Sequence, residues 1–374
     1  MAGVTGEGGS AAVTGDGGST AALTGRRTVG EVIAAAVRGG VTPGAVFAAG
    51  APGRPAEVAV AGLAQSRGGP ARAMRRDTLF DLASLTKVVA TLPAVLRLAG
   101  LGAVGLDDRV TRFLPAFGGD GRDDVTVRQL LAHTSGLPSG FPFWSRCRDQ
   151  DEASRALLRV PLVDPPGTRA IYSDVGFMLL GRVVSAVTGS PLDVSVGELV
   201  TGPLGLTRTR FRPDEARGAP TAAATELRPD GTALTGTVHD ENARFFGGVA
   251  GHAGLFAPLD DLIRYLDAAW AGGDFLPLAL RREACRTQTA GLDGARGLGW
   301  VLRGDPADCL GTRWPPGSVG HTGFTGTSLA FDPASGWWAV LLTNEVHLGR
   351  DRSVIRGLRE AVHDRCPPCT GDHG

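Results

Sequence analysis

Ser84-Leu85-Thr86-Lys87-Val88-Val89-Ala90-Thr91-Leu92 is apolar on nearly every side. A helix with that pattern has no solvent face and belongs at the centre of a protein, buried all round. Lys87 is also the only lysine of the chain, against 37 arginines. An arginine cannot lose its proton, whereas the pKa of a lysine falls readily on burial, so the retained amine is a candidate general base. Ser84 and Lys87 stand at i and i+3 and share a helical face. If the tetrad opens its helix, the N-terminal dipole further disfavours the charged amine. A buried lysine beside a serine hydroxyl is one way to activate a weak nucleophile.

Outward from this helix, the chain reads as strands, then many helices, then strands and a helix. Thr28 is expected to cap a helix running through Arg38. Strand-like segments follow at Ala45–Ala49 and Glu57–Ala61, separated by Gly/Pro turns. Helical patterns then dominate, among them Val127–Ala132, Val175–Thr188 and Leu259–Ala269. Gly299–Leu302 reads as a strand. Ser328–Asp332 and Trp337–Leu342 flank Pro333-Ala334-Ser335-Gly336, a hairpin signal, and Arg352–His363 closes the fold as a helix. The expected architecture is α+β: one antiparallel sheet built from both chain ends, flanked by helices, with an all-helical region inserted at about 90–290. Residues 1–27, rich in Gly, Ser and Thr, read as a disordered arm. Residues 28–363 form a single domain, and 364–374 a flexible tail.

Composition removes several function classes. Lys+Arg and Asp+Glu both number 38, aromatics are 6% of residues, and no long basic run occurs, so nucleic-acid binding has no electrostatic footprint. A lone lysine preceded by Leu85-Thr86 excludes a phosphate loop of the G-x-x-x-x-G-K type. The most apolar stretch, Val88 to Leu106, carries Pro93 and Arg97. A mid-span arginine costs about 2.5–3.5 kcal/mol on insertion, so the stretch reads as a buried core helix and no membrane partner is expected. Residues 1–25 contain no Lys or Arg and no h-region, which makes a cytoplasmic protein the expectation. The five cysteines, Cys147, Cys285, Cys309, Cys366 and Cys369, form no disulfide framework, and Cys366-Pro-Pro-Cys369 reads as part of the terminal tail. No tight His-x-x-x-His spacing supports a metal at His239, Asp240 or His252, and no cofactor is expected.

Two further elements carry chemistry. Tyr172 in Tyr172-Ser173-Asp174 is one of only two tyrosines, and a phenol near a cation can pass protons between nucleophile and leaving group. In His321-Thr322-Gly323 the glycine lets a substrate approach the strand closely, and the next N–H, on Phe324, can point at a developing oxyanion.

Together, in this order and spacing, the three elements resemble the serine β-lactamase and penicillin-binding-protein superfamily, above all class C β-lactamases, D,D-carboxypeptidases, D-aminopeptidases and related esterases. Leu106–Val110, Val125–Leu137 with its His133-Thr134-Ser135-Gly136, Tyr172–Phe177 and Gly251–Phe256 extend the likeness from about Thr28 to His363. The resemblance implies a β-lactamase/transpeptidase-like fold and an acyl-enzyme on Ser84. Lys87 and Tyr172 would share base and acid roles, and the N–H groups of Ser84 and Phe324 would form the oxyanion hole. His321, Thr322, Gly323 and Asp174 would bind substrate. His321 stands where many relatives have lysine and would contact a substrate carboxylate or assist proton transfer; it argues against efficient β-lactam turnover. The loop at His133 and Ser135 would be structural, and His239–Asn242 with His252 would border the cleft.

Asp174 departs from the class C asparagine. The acid loses an amide donor, and its carboxylate is read as hydrogen-bonding locally; ionised and close to Lys87, it would raise the pKa of that amine. The implied activity is a serine hydrolase cleaving a small ester or amide. A transacylase passing the acyl group to an amine or alcohol is the neighbouring reading. A catalytically silent ligand-binding domain is the reading from another class, opposed by the intact Ser84, Lys87 and Tyr172. Nothing in the sequence bears on oligomeric state.

Overall fold

The structure, a computed structural model, describes residues 27–54, 56–213, 222–351 and 353–366. The arm apart from Arg27, and Cys369 of the tail, lie outside them. As expected, Thr28 caps helix α1 (Val29–Arg38), its hydroxyl accepting from Glu31 N–H while the Glu31 carboxylate accepts from Thr28 N–H. Strands β1 (Gly44–Gly50), β2 (Glu57–Gln65) and β3 (Arg72–Ala73) follow. From the far end of the chain come β4 (Val301–Leu302), β5 (Val319–Thr322), β6 (Ser328–Phe331) and β7 (Trp338–Thr343). They form one seven-stranded antiparallel sheet in the order β3-β2-β1-β7-β6-β5-β4. The two chain ends meet where β1 pairs with β7, from Ala45 opposite Thr343 to Gly50 opposite Trp338.

Both faces of the central strands are buried, which is why they read as nearly continuous apolar runs. On β1, Ala45, Phe47 and Ala49 face α1 and the closing helix α2 (Ile355–His363), meeting Ile33, Leu358 and Val362. The alternate residues Val46 and Ala48 join the larger core shared with the helical region, as do Val340 and Leu342 of β7. Residues 364–366, placed with the flexible tail, are held: the Asp364 carboxylate accepts from Thr312 and Arg313 N–H, and Cys366 is buried.

The inserted region is helical in the main but not wholly so, which corrects the expectation. Phe80–Asp81, Leu255–Ala257 and Arg210–Phe211 form a three-stranded sheet, and Ala224–Leu227 pairs with Ala233–Thr235. Strands of two to four residues are too short for alternation to declare itself. The three-stranded sheet matters because Asp81 pairs with Phe256, which delivers the chain to Ser84 beside the segment 251–257.

The segment Ala83–Gly100 is long and apolar enough to cross a membrane by length and composition, yet 78% of it is buried within the protein. It is the expected central helix, but not a uniform one. Ala83–Leu85 is a single 3-10 turn, Lys87–Thr91 is π-helical, and only Leu92–Gly100 is α-helical. Pro93 offers no N–H and its ring would meet the carbonyl four residues back, so the turn before it widens. The Tyr265 hydroxyl donates to the carbonyl of Val88 in this widened turn.

Candidate active site

Three constraints hold the Ser84 turn. Asp81 is buried, and its carboxylate accepts from Ala83 N–H at 2.9 Å and His239 N–H at 2.7 Å. Ala83 has φ +46°, a left-handed conformation that a residue with a Cβ adopts only when its surroundings impose it. Thr86 Oγ1 accepts from Leu255 N–H, and the Thr91 hydroxyl donates to Gly251 O at 2.6 Å. Ser84 is thereby fixed at the mouth of a cavity of about 400 Å³ that Tyr172, Arg296, His321 and Phe324 also line.

Lys87 is wholly buried. Its ammonium donates to Ser84 Oγ at 3.0 Å and to His252 O at 3.3 Å, and it lies 2.7 Å from Asp174 Oδ1. The ring of Tyr172 stands 4.9 Å away. Burial alone pulls this amine down, but the carboxylate of Asp174 and the phenol of Tyr172 together outweigh it, and Lys87 sits above its ordinary value. The expectation of a base made ready by burial and a helix dipole is therefore corrected: the resting amine is charged, because a carboxylate reaches it. Asp174 acts on Lys87 as its closeness implied. Its side chain pairs with Lys87 and is not among the groups lining the cavity. Burial also raises Tyr172, while Lys87 and a hydrogen bond with Ser84 pull it down.

Tyr172 and Asp174 are carried to this point by the cap of α3 (Asp174–Thr188). Ser173 is the cap residue: its Oγ accepts from Gly176 N–H and donates to Pro138 O. His133 Nδ1 accepts from Ser173 N–H at 3.0 Å, and its ring packs 4.7 Å from that of Tyr172. Burial holds His133 well below the ordinary histidine value, so it is a neutral acceptor, in keeping with a structural role for its loop.

The opposite wall is β5. His321 Nδ1 donates to its neighbour's carbonyl, Thr322 O, at 2.9 Å, which leaves Nε2 as the bare acceptor; that atom is buried without a hydrogen-bond partner. Burial pushes the ring down to about 3. A neutral ring offers a substrate an acceptor at Nε2 and no charge. The cation that lines the cavity is Arg296, whose Nε pairs with buried Asp305 Oδ2 at 3.1 Å. One arginine among 37 gave no sequence signal. Thr322 and Gly323 line the cavity, and the glycine has a packing reason as well. A Cβ there would stand 2.5 Å from Leu82 O and 2.2 Å from Thr327 Oγ1, so it is packed against the Ser84 turn. β4 pairs with β5 only at Val319 and Gly320, so it stops short of His321 and Thr322.

The histidine-rich segment borders the site without converging on a metal; among the described residues no such group of His, Cys, Asp and Glu occurs. His252 Nε2 lies 2.9 Å from Asp240 Oδ1, and His239 stacks on Phe324 at 5.6 Å.

This fold and this pairing of serine with a buried lysine define a serine acyl-transfer enzyme of the β-lactamase type. The Beta-lactamase family model matches residues 29–363. A putative D-alanyl-D-alanine carboxypeptidase of Escherichia coli (strain K12) is 36% identical over 302 residues, covering 72% of this chain and 70% of the relative. An N-acetylmuramyl-L-alanine amidase of Bacillus subtilis (strain 168) is 34% identical over 343 residues, covering 82% and 78%. Among solved structures, EstCE1, a hydrolase with promiscuous acyltransferase activity, superposes with TM-score 0.71 at 23% identity, over 92% of this chain and 98% of that one. A simvastatin synthase (LovD) mutant from Aspergillus terreus gives 0.72 at 21%, over 90% and 95%. These two likenesses speak for the fold. The chain belongs to the Beta-lactamase family and is a serine hydrolase of that family.

Proposed function

We propose that the protein cleaves small esters or amides through an acyl-enzyme on Ser84. The observation that carries this reading is the 3.0 Å contact of Lys87 Nζ with Ser84 Oγ at the mouth of the cavity. Once Lys87 has given up its resting proton, Ser84 Oγ attacks the carbonyl carbon, its proton passes into the Lys87–Tyr172 pair, and the same pair returns a proton to the leaving group. The N–H groups of Ser84 and Phe324 receive the oxyanion. Water then attacks the acyl carbon and frees Ser84. The neutral ring of His321 suits a substrate that offers a donor, while Arg296 suits an anionic or strongly polar one.

The relatives named above are a carboxypeptidase and an amidase, both names for cleavage at an amide, which favours amide as well as ester substrates here. Intact-mass analysis after exposure to p-nitrophenyl acetate, a fluorophosphonate and penicillin tests the proposal. One acyl or phosphonyl adduct is expected on the wild type and none on Ser84→Ala; a wild type that takes no adduct from any probe overturns it. Adding an amine to the ester reaction divides hydrolase from transacylase, amide product in excess of free acid marking the latter.

A further inference from the structure

The ammonium of Lys87 has no path of its own to water: the side chain is 0% exposed, whereas that of its ion-pair partner Asp174 is 33% exposed. Asp174 Oδ1 is buried and takes no other polar partner, so the 2.7 Å contact with Lys87 is what compensates it. Asp174 is also the first residue of a 15-residue helix, where the dipole favours a carboxylate. We propose that Asp174 is a positioning residue for proton transfer: it keeps Lys87 charged in the resting protein and is the group through which that proton leaves before Ser84 reacts.

The step balances as follows. One Nζ–H bond of the ammonium breaks and an Oδ1–H bond forms, giving a neutral amine beside a neutral carboxylic acid; the part-exposed carboxyl group then turns to present that proton to water, releases it and becomes a carboxylate again. The amine lone pair takes the Ser84 hydroxyl proton as Oγ bonds to the substrate carbonyl carbon and an electron pair moves onto the carbonyl oxygen. Collapse of that oxyanion expels the leaving group, which receives the proton. This sequence rests on the acyl-enzyme reading above; the pairing of Asp174 with Lys87 does not.

Among the described residues, the groups facing Lys87 come from three places. Ser84 comes from its own turn, Tyr172 and Asp174 from the cap of α3, and His252 O from the 250–254 loop. Behind that loop Asp240 also feels the ammonium, but it is already engaged by His252 Nε2 and by Ala243 N–H. The nearby rings of His133 and His321 are held neutral by burial, and Arg296 is paired with Asp305. Asp174 is therefore the carboxylate not otherwise committed.

Because the chain has one lysine, the test needs no assignment. Full-length protein labelled with 13C,15N-lysine gives a single side-chain resonance, which is titrated by NMR in the wild type, Asp174→Asn, Asp174→Glu and Asp240→Asn. The wild-type midpoint is expected above the free-lysine value, and Asp174→Asn is expected to lower it by about one to three pH units. Asp174→Glu is expected to restore most of the difference, and Asp240→Asn to move it less than Asp174→Asn does. In parallel, the acid limb of Ser84 acylation by p-nitrophenyl acetate is expected to move to lower pH in Asp174→Asn by the same interval. An unmoved lysine midpoint in Asp174→Asn overturns the proposal, as does a larger shift in Asp240→Asn. If Asp174→Asn melts too low to titrate, the Asp174→Glu midpoint decides: near wild type supports the pairing, and a fall to the free-lysine value overturns it. A wild type that shows the lysine shift but takes no acyl adduct overturns the acyl-enzyme reading and leaves the ion pair standing.

Discussion

The two walls of the cleft bury titratable nitrogens to nearly the same degree and leave them in opposite states. On the helical wall Lys87 is 0% exposed and charged; on the strand wall His321 is 3% exposed and neutral. Burial acts on both in the same direction, toward the uncharged form. The difference is what each wall can supply. The helical wall ends one helix cap beside Lys87, and the cap brings the Asp174 carboxylate to 2.7 Å. The strand wall offers His321 only the carbonyl of Thr322 and the repulsion of Lys87 and Arg296. Burial sets the penalty, and the partner decides whether the charge survives it.

Substitutions on either wall break or sharpen this contrast. The largest effect is expected from Lys87→Arg. A guanidinium keeps the ion pair with Asp174 but cannot give up its proton, so Ser84 acylation should fall by about 10²–10⁴-fold or more. Near-wild-type rates of adduct formation would remove Lys87 from the proton path. Next comes Asp81→Ala, which strips support from the Ser84 turn on the helical wall by leaving two buried N–H groups, those of Ala83 and His239, without an acceptor. A loss of about 2–5 kcal/mol in denaturant unfolding is expected, with slower acylation as the left-handed Ala83 relaxes; an unchanged midpoint would show that water replaces the carboxylate.

The neutral rings of the strand wall and its surroundings should make the protein acid-labile. In the unfolded chain histidine takes up a proton near pH 6.5, whereas folded His321 and His363 resist until about 3. Between those values the unfolded state binds more protons, so stability falls as pH falls. A decline in Tm across that window is expected by calorimetry, from a loss of stability on the order of 1–3 kcal/mol per ring. A flat Tm from neutral pH to 4 would show that the rings accept protons in place. The smallest effect is expected from His321→Gln, which keeps a neutral acceptor on β5. Acylation by a neutral acetate ester should stay within about tenfold of the wild type, and the acid slope of Tm should become shallower. A loss like that of Lys87→Arg would mean that His321 moves protons.

Much of this frame was legible in the sequence. The Thr28 cap, the paired ends of the sheet, the hairpin around Pro333–Gly336 and the buried helix after Ser84 each rest on local pattern, and local pattern is what a sequence displays. The strands at Arg210–Phe211 and Leu255–Ala257 were not legible, since two or three residues carry no period. Arg296 was hidden among many arginines. The packing need for Gly323 was not legible, because the carbonyl of Leu82 that forbids a side chain there arrives from a distant part of the chain.

Sequence alone determined that a serine and a unique amine share one turn of a central helix, and that a sheet closes from both ends around it. Spacing of three residues guarantees that much, whatever surrounds it. Tertiary structure decided what the amine is. Its protonation depends on Asp174, Tyr172 and the carbonyl of His252, groups far away in the chain that the helix cap and the 250–254 loop bring within a few ångströms. Electrostatic interaction is a function of distance and dielectric, and neither exists until the chain has folded.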